Sequence, residues 1–142
     1  MKVREIMKRE FRSIARDATI RDAARQMREA GVGMLPVEDS QEIVGSVTDR
    51  DITIRATANG ADPNTTPVSE VMSHEVFTCV EDDDLRQAAQ IMEDNQIRRL
   101  MVQNDESEFV GMLAIADLAR HQETAQLLNE VIEQVSQPGA AH

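Results

Sequence analysis

The sequence predicts an α/β fold made of two β-α-β-β-α repeats packed about a pseudo-two-fold axis, with one further helix at the C-terminus. Three observations carry this. The chain repeats itself: Val3-Arg4-Glu5-Ile6-Met7 returns as Val68-Ser69-Glu70-Val71-Met72, 65 residues later. At that offset Asp17 matches Asp82, Ala23-Ala24 match Ala88-Ala89, Met27 matches Met92, Leu35 matches Leu100 and Val37 matches Val102. After one inserted residue the register resumes at 66, pairing Val44-Gly45 with Val110-Gly111 and Asp51 with Asp117. Each copy also alternates short apolar runs with one stretch of helical period. Finally, two copies are too few for a solenoid, which buries its faces only by stacking three or more units. Two copies close instead on each other, and clefts shared by both halves are where function is expected.

In the first repeat, Ser13-Ile14 reads as a short strand. Ile20, Ala23, Ala24 and Met27 then share one helical face, with Thr19 and Asp22 as its cap and Gly31 as its stop. Gly33 to Val37 and Glu42 to Val47 are two apolar runs, and Glu38-Asp39-Ser40-Gln41 between them reads as a hairpin turn. A second helix runs from Asp49 to about Asn59-Gly60. In the second repeat Phe77 to Val80 is the short strand, and Asp84 caps a helix that buries Leu85, Ala88, Ala89 and Met92. Gln96 to Val102 and Phe109 to Ala114 form its hairpin, and Ala116 starts the last helix of the repeat. Asp62-Pro63-Asn64-Thr65-Thr66-Pro67 has two prolines and no apolar period, and reads as a linker. The expected divisions are 1–61, first repeat; 62–67, linker; 68–120, second repeat; 121–142, an amphipathic helix and tail. Leu128, Val131, Ile132 and Val135 define that helix, and Gln137-Pro138-Gly139 ends it. It either packs back on its own domain or forms a dimer contact.

Composition narrows the function classes. Apolar residues make up 41% of the 142, enough for a real core. No run approaches the roughly 20 apolar residues of a membrane span. The N-terminus lacks an apolar signal segment and Cys79 is the only cysteine, so a cytoplasmic setting is expected. A net charge of -11 opposes nucleic acid and anionic lipid as partners. There is no Trp or Tyr, against eight Met, so a bound base would meet aliphatic and methionine walls rather than aromatic rings.

Gly45-Ser46-Val47-Thr48-Asp49-Arg50-Asp51 carries the strongest chemical signal. Gly45 lets a strand approach another backbone closely. Thr48 and Asp51 straddle a helix start, where a hydroxyl and N–H groups suit a phosphate and a carboxylate accepts both hydroxyls of a ribose. Thr-x-x-Asp is also close to a capping box, which needs no ligand. The second copy, Gly111 to Asp117, keeps the glycine and carboxylate but has Ala114 in place of the threonine, which speaks against a purely capping role for the aspartate. Arg98-Arg99 opens an apolar strand where the first repeat has Gly33-Met34, and an arginine fork suits phosphate.

Glu81-Asp82-Asp83-Asp84 precedes a helix, where acids are favoured without a metal. His74, His121, His142 and Cys79 do not cluster in sequence, so no zinc site is expected. No Walker A segment and no Ser/His/Asp or Cys/His signature appears, so no catalytic residue is nominated and no enzyme is expected.

With these repeats and the Gly-x-x-Thr-x-x-Asp segment, the chain resembles the CBS-domain family over roughly residues 1–120. Met7/Met72, Leu35-Pro36-Val37 and Gly45/Gly111 carry the likeness, which is to a stand-alone CBS pair. The resemblance implies two CBS units packed by their sheets into a Bateman module, often paired into a homodimer. It implies clefts for adenosine-containing ligands: AMP, ADP, ATP or S-adenosylmethionine. Carried over, one cleft combines Thr48 and Asp51 with Arg98 and Arg99, with Ile14, Val32 and Ile97 as neighbours placed by alignment. The second combines Asp117 with Gly33 and Met34, lacks a basic residue, and is expected to be empty or to take something less charged. The implied function is a regulatory sensor of an adenine nucleotide. The alternative is a ligand-free scaffold acting through dimerisation, its C-terminal helix and a protein partner.

Overall fold

The computed structural model describes residues 1–120 and 125–136. The chain forms two compact units: Arg12–Val76, and Met1–Phe11 together with the chain from Phe77 onward.

In the Arg12–Val76 unit, β1 (Ile14–Ala15) lies parallel to β2 (Met34–Asp39), and β2 pairs antiparallel with β3 (Glu42–Thr48), in the order β1-β2-β3. Helix α1 (Ile20–Ala30) connects the parallel strands. It starts because Thr19 Oγ1 accepts the Asp22 N–H at 3.2 Å, a cap of about 1 kcal/mol. It stops at Gly31, which takes the left-handed conformation at φ 66°. The buried face of α1 is Ile20, Ala23 and Met27; Ala24, expected on that face, is exposed. The turn between β2 and β3 is tighter than expected. Only Ser40 and Gln41 remain outside the strands, and both have positive φ, 52° and 70°. After β3 the chain turns into α2 (Asp49–Asp51), widens into a π-helical stretch over Ile52–Ala56, and tightens into a 3-10 turn over Thr57–Asn59. Gly60, left-handed at φ 72°, ends it, where the sequence placed the stop.

The other unit follows the same plan. β4 (Thr78–Val80) is parallel to β5 (Arg99–Gln103), which pairs antiparallel with β6 (Phe109–Ala114). Asp84 caps α3 (Leu85–Asn95) by accepting the Arg86 N–H at 2.9 Å, while Gln87 Oε1 accepts the Asp84 N–H at 2.8 Å. Gln96 ends α3 at φ 53°, in the place of Gly31. Helix α4 (Ile115–Leu118) follows β6. Helix α5 (Ala125–Val135) packs back on α3 and α4, burying Val131 and Val135 in this unit's core. The face carrying Val131 and Val135 therefore packs on its own unit. Leu127 and Leu128 are half-buried, and Ile132, expected on the buried stripe, points outward. Ala89 is buried here while its counterpart Ala24 is exposed, because α5 covers α3 and nothing equivalent follows α1. The proposed helix end at Gln137-Pro138-Gly139 lies outside the described residues.

The units do not coincide with the sequence repeats. The leader Val3-Arg4-Glu5-Ile6-Met7 packs with the second repeat, and Val68-Ser69-Glu70-Val71-Met72 with the first. Matching hydrogen bonds fix both leaders. Val3 N–H donates to Asp83 O at 3.0 Å, Arg4 N–H to Glu81 O at 3.0 Å, and Leu85 N–H to Met1 O at 2.8 Å. Their counterparts are Val68 to Ala18 at 2.7 Å, Ser69 to Arg16 at 2.9 Å, and Ile20 to Thr66 at 3.0 Å. Val68, Val71 and Met72 are buried in the Arg12–Val76 core, each contributing about 1.5–3 kcal/mol by burial. The 62–67 segment is tied to α1 on the way: Arg21 N–H donates to Pro63 O at 3.1 Å and the Arg21 guanidinium to Asn64 Oδ1 at 2.9 Å.

Each leader ends on an edge strand. Ser73 and Ser46 exchange two backbone bonds of 2.8 and 2.9 Å, and Lys8 and Met112 do the same at 2.8 and 2.9 Å. Gly45 and Gly111 make this possible. A Cβ on Gly45 would sit 2.2 Å from Ser73 O, and one on Gly111 2.6 Å from Lys8 O. The close backbone approach read from Gly45 is the approach of the leader.

Candidate functional site

The Arg12–Val76 unit assembles Gly33, Met34, Thr48 and Asp51. Thr48 ends β3 opposite Met34 at the start of β2, and Asp49 N–H donates to Gly33 O at 3.0 Å. The chain turns into α2 there because Thr48 and Asp51 cap each other. Asp51 N–H donates to Thr48 Oγ1 at 3.0 Å, and Thr48 N–H donates to Asp51 Oδ2 at 2.9 Å. The capping box is therefore real, and it occupies one of the two Asp51 oxygens. The other, Oδ1, has Arg55 Nε at 4.0 Å, and the Asp51 side chain is 15% exposed. The Arg55 guanidinium spends its hydrogen bonds elsewhere, on Val71 O at 3.2 Å and Met72 O at 3.1 Å.

The other unit repeats this geometry with different side chains. Ala114 ends β6 opposite Arg99 at the start of β5, and Ile115 N–H donates to Arg98 O at 3.0 Å. Ala114 N–H donates to Asp117 Oδ2 at 2.8 Å. The loss of threonine removes the hydroxyl arm of the cap and leaves the carboxylate arm, which needs only a backbone N–H. The expectation that Ala114 weakens a capping role for Asp117 is corrected on that ground. The Arg120 guanidinium pairs with Asp117 Oδ1, and Asp117 is 1% exposed.

Thr48 and Asp51 thus belong to one unit, and Arg98 and Arg99, both half-buried, to the other. Gly33-Met34 and Arg98-Arg99 occupy equivalent strand entrances. Met34 is buried. Val32 and Ile97 are equivalent too: each follows a left-handed helix stop and donates its N–H to the helix, Val32 to Met27 O at 3.1 Å and Ile97 to Met92 O at 3.0 Å. Val32 is exposed, whereas Ile97 packs against its unit's core. Ile14 is buried in the core opposite Val37. Arg55 and Arg120 were missed from sequence. The available signal was their spacing, four and three residues after an aspartate at a helix start.

The acidic run is used structurally. Asp83 Oδ2 accepts the Val80 N–H at 3.0 Å, Asp84 caps α3, and Asp82 pairs with Arg4 and, at 3.9 Å, with Lys2. Among the described residues no group of three His, Cys, Asp or Glu converges on a metal-sized space. His74 is exposed, and His121 and His142 lie outside the described residues. Cys79 is buried, and burial together with the Asp83 charge pushes its thiol up to about 12. No helix among the described residues is long and apolar enough to cross a membrane.

Comparison with known proteins agrees with this architecture. The CBS domain profile matches residues 3–56 and 68–124, one match per repeat. The chain is 37% identical over 134 residues to the CBS domain-containing protein YhcV of Bacillus subtilis, covering 94% of each chain. It is 30% identical to the CBS domain protein PAE2072 of Pyrobaculum aerophilum, solved in complex with AMP, with a TM-score of 0.78 over 91% of this chain and 98% of that one. The structure of Hypoxic Response Protein I, described with two coordinated zinc ions, is 33% identical, with a TM-score of 0.75 over 85% of this chain and 98% of that one. A curated relative of the same name, Hypoxic response protein 1, comes from Mycobacterium tuberculosis. Two matched repeats, each with its three-stranded sheet, its capped aspartate and its glycine under the leader, make this chain a member of the CBS-domain family, whose paired repeats are typically regulatory rather than catalytic.

Proposed function

We propose that the chain is a regulatory module that senses an adenosine-containing nucleotide, with AMP, ADP, ATP and S-adenosylmethionine as the candidate class. In this reading Asp51 and Thr48 hold the ribose, and Arg98 and Arg99 meet the phosphate. The observation that carries it is the unequal condition of the two aspartates. Asp51 is fixed through Oδ2 by the Thr48 N–H, while Arg55 Nε stands 4.0 Å from its Oδ1, beyond hydrogen-bond length. A carboxylate steadied through one oxygen is a ready acceptor for a hydroxyl at the other. Asp117 has donors on both oxygens, and Gly33 and Met34 supply no cation for a phosphate. One competent nucleotide site per chain follows, with the second weaker. The AMP complex of the 30% identical PAE2072 protein supports the ligand class.

Regulation requires that the ligand bind two arrangements of the protein with different affinity. A homodimer, or an unidentified protein partner, is what would read the change. The net charge of -11 keeps nucleic acid and anionic membranes out of this reading, and the setting is cytoplasmic. The alternative, a ligand-free scaffold acting through dimerisation and the C-terminal helix, would have to use the face of α5 that carries the exposed Ile132, since Val131 and Val135 pack on its own unit.

The test is a thermal shift of ligand-free protein against AMP, ADP, ATP, S-adenosylmethionine and NADH, with and without magnesium. A ligand at 100 times its Kd adds about 2.7 kcal/mol, a rise of several degrees. A rise with one adenine compound that disappears in Asp51→Asn is expected. A flat response across the panel would refute the proposal.

A further inference from the structure

Arg120 pairs with Asp117, and the nucleotide reading gives its guanidinium no role. We propose that Arg120 is an internal competitor for the sugar of a nucleoside at Asp117. Its guanidinium takes the oxygen that a ribose hydroxyl needs and keeps the second half-site closed. The inference rests on the reading of Asp51 and Asp117 as ribose acceptors, and it names what controls one of them.

Three observations converge. Asp117 is 1% exposed, with Oδ2 on the Ala114 N–H and Oδ1 on Arg120, so neither oxygen is left for a diol. The Arg120 side chain is 56% exposed, so its guanidinium covers the carboxylate from the solvent side and can swing away without unpacking the core. In the Arg12–Val76 unit the pairing is looser, with Arg55 Nε 4.0 Å from Asp51 Oδ1. The counterpart of Arg120 there is Ile54, which is exposed, and the cation one residue on, Arg55, is committed to the Val71 and Met72 carbonyls. A guanidinium and a sugar diol are both donors and compete for the same lone pairs. Removing the guanidinium leaves a buried carboxylate oxygen without a donor, which a hydroxyl can supply. The ligand class is a nucleoside, whose sugar supplies the hydroxyl that such an oxygen accepts.

The experiment is calorimetric titration of the ligand-free full chain with adenosine. Wild type, Asp51→Ala, Arg120→Ala and Arg120→Ala with Asp117→Asn are compared, with circular dichroism as the check on folding. Arg120→Met, which keeps the aliphatic stem, serves if alanine unsettles α4. Asparagine at 117 still accepts the Ala114 N–H. The expected adenosine sites per chain are one, none, two and one in that order. An unchanged count in the Arg120 variants overturns the proposal. So does wild-type protein that already takes two adenosines and loses one in Asp117→Asn, a result that leaves the Asp51 reading standing. Wild-type protein that takes no adenosine removes the Asp51 reading instead. The proposal is then decided by whether the Arg120 variant gains a site that Asp117→Asn abolishes.

Discussion

Replacing Gly45 by alanine puts a methyl carbon 2.2 Å from the Ser73 carbonyl oxygen and 3.3 Å from its carbonyl carbon. Ordinary contact needs about 3.5 Å, so the leader and β3 must part by about 1 Å. That stretches both Ser46–Ser73 backbone bonds, 2.8 and 2.9 Å in the native chain, past useful length. Two such bonds are worth about 1 kcal/mol each. Looser packing of Val71 and Met72, just upstream and buried, adds about 1–2 kcal/mol. The expected loss is about 3–4 kcal/mol, read by calorimetric or circular-dichroism melting as a fall in Tm of about 9–15 °C. Two companions calibrate it. Gly111→Ala meets Lys8 O at 2.6 Å and the flexible Met7 Sδ at 3.1 Å, and costs less. Gly31→Ala meets nothing within 4 Å but sits at φ 66°, and costs about 1 kcal/mol. A Gly45→Ala protein that melts within 2 °C of wild type, or above Gly31→Ala, would refute the argument that leader capture requires this glycine.

Gln41→Gly relieves a left-handed residue at φ 70° and stabilises by about 1 kcal/mol, seen as a rise in urea midpoint with unchanged slope. Cys79, pushed up to about 12, stays unmodified by a thiol reagent at pH 8 in native protein and reacts once urea unfolds the chain. Glu93 is raised by burial and by the charges of Glu130 and Asp94, so its ionised form weighs against the folded state. Its penalty is absent below the ordinary carboxylate value, grows as pH rises from there toward the raised folded value, and is complete above it. Glu93→Gln therefore raises Tm at pH 7 and makes no difference at pH 3; a larger gain at pH 3 would reverse the assignment.

Much of the fold was legible in the residues. Thr19/Asp22, Gly31, Asp84 and Gly60 mark helix ends because caps are local chemistry. Gly45 was read as a close approach because little else explains a glycine in that strand. The leader exchange was not legible. Val3 to Met7 and Val68 to Met72 match each other, so either could pack with either repeat, and only the long-range bonds choose. Nor did the period of 3.6 announce the π-helical widening at Ile52–Ala56. Ala24 and Ile132 were misplaced for one reason: periodicity marks a stripe, while α5 decides how wide the stripe is on α3 and leaves α1 without a cover. Within the site, Thr48 and Asp51 offered two readings from sequence, cap and ligand group. The geometry shows the cap, and the proposed ligand role rests on the Asp51 oxygen that the cap does not take.

The most direct measurement is the stoichiometry of AMP on purified, ligand-free protein by calorimetric titration, repeated with Asp51→Asn and with Arg98→Ala/Arg99→Ala. The account predicts one AMP per chain. It predicts a loss of affinity of roughly 10- to 100-fold in Asp51→Asn, as expected for a charge-assisted hydrogen bond, and a loss in the arginine variant that is larger for AMP than for adenosine. Two equivalent AMP sites, or an affinity unmoved by Asp51→Asn, would contradict it.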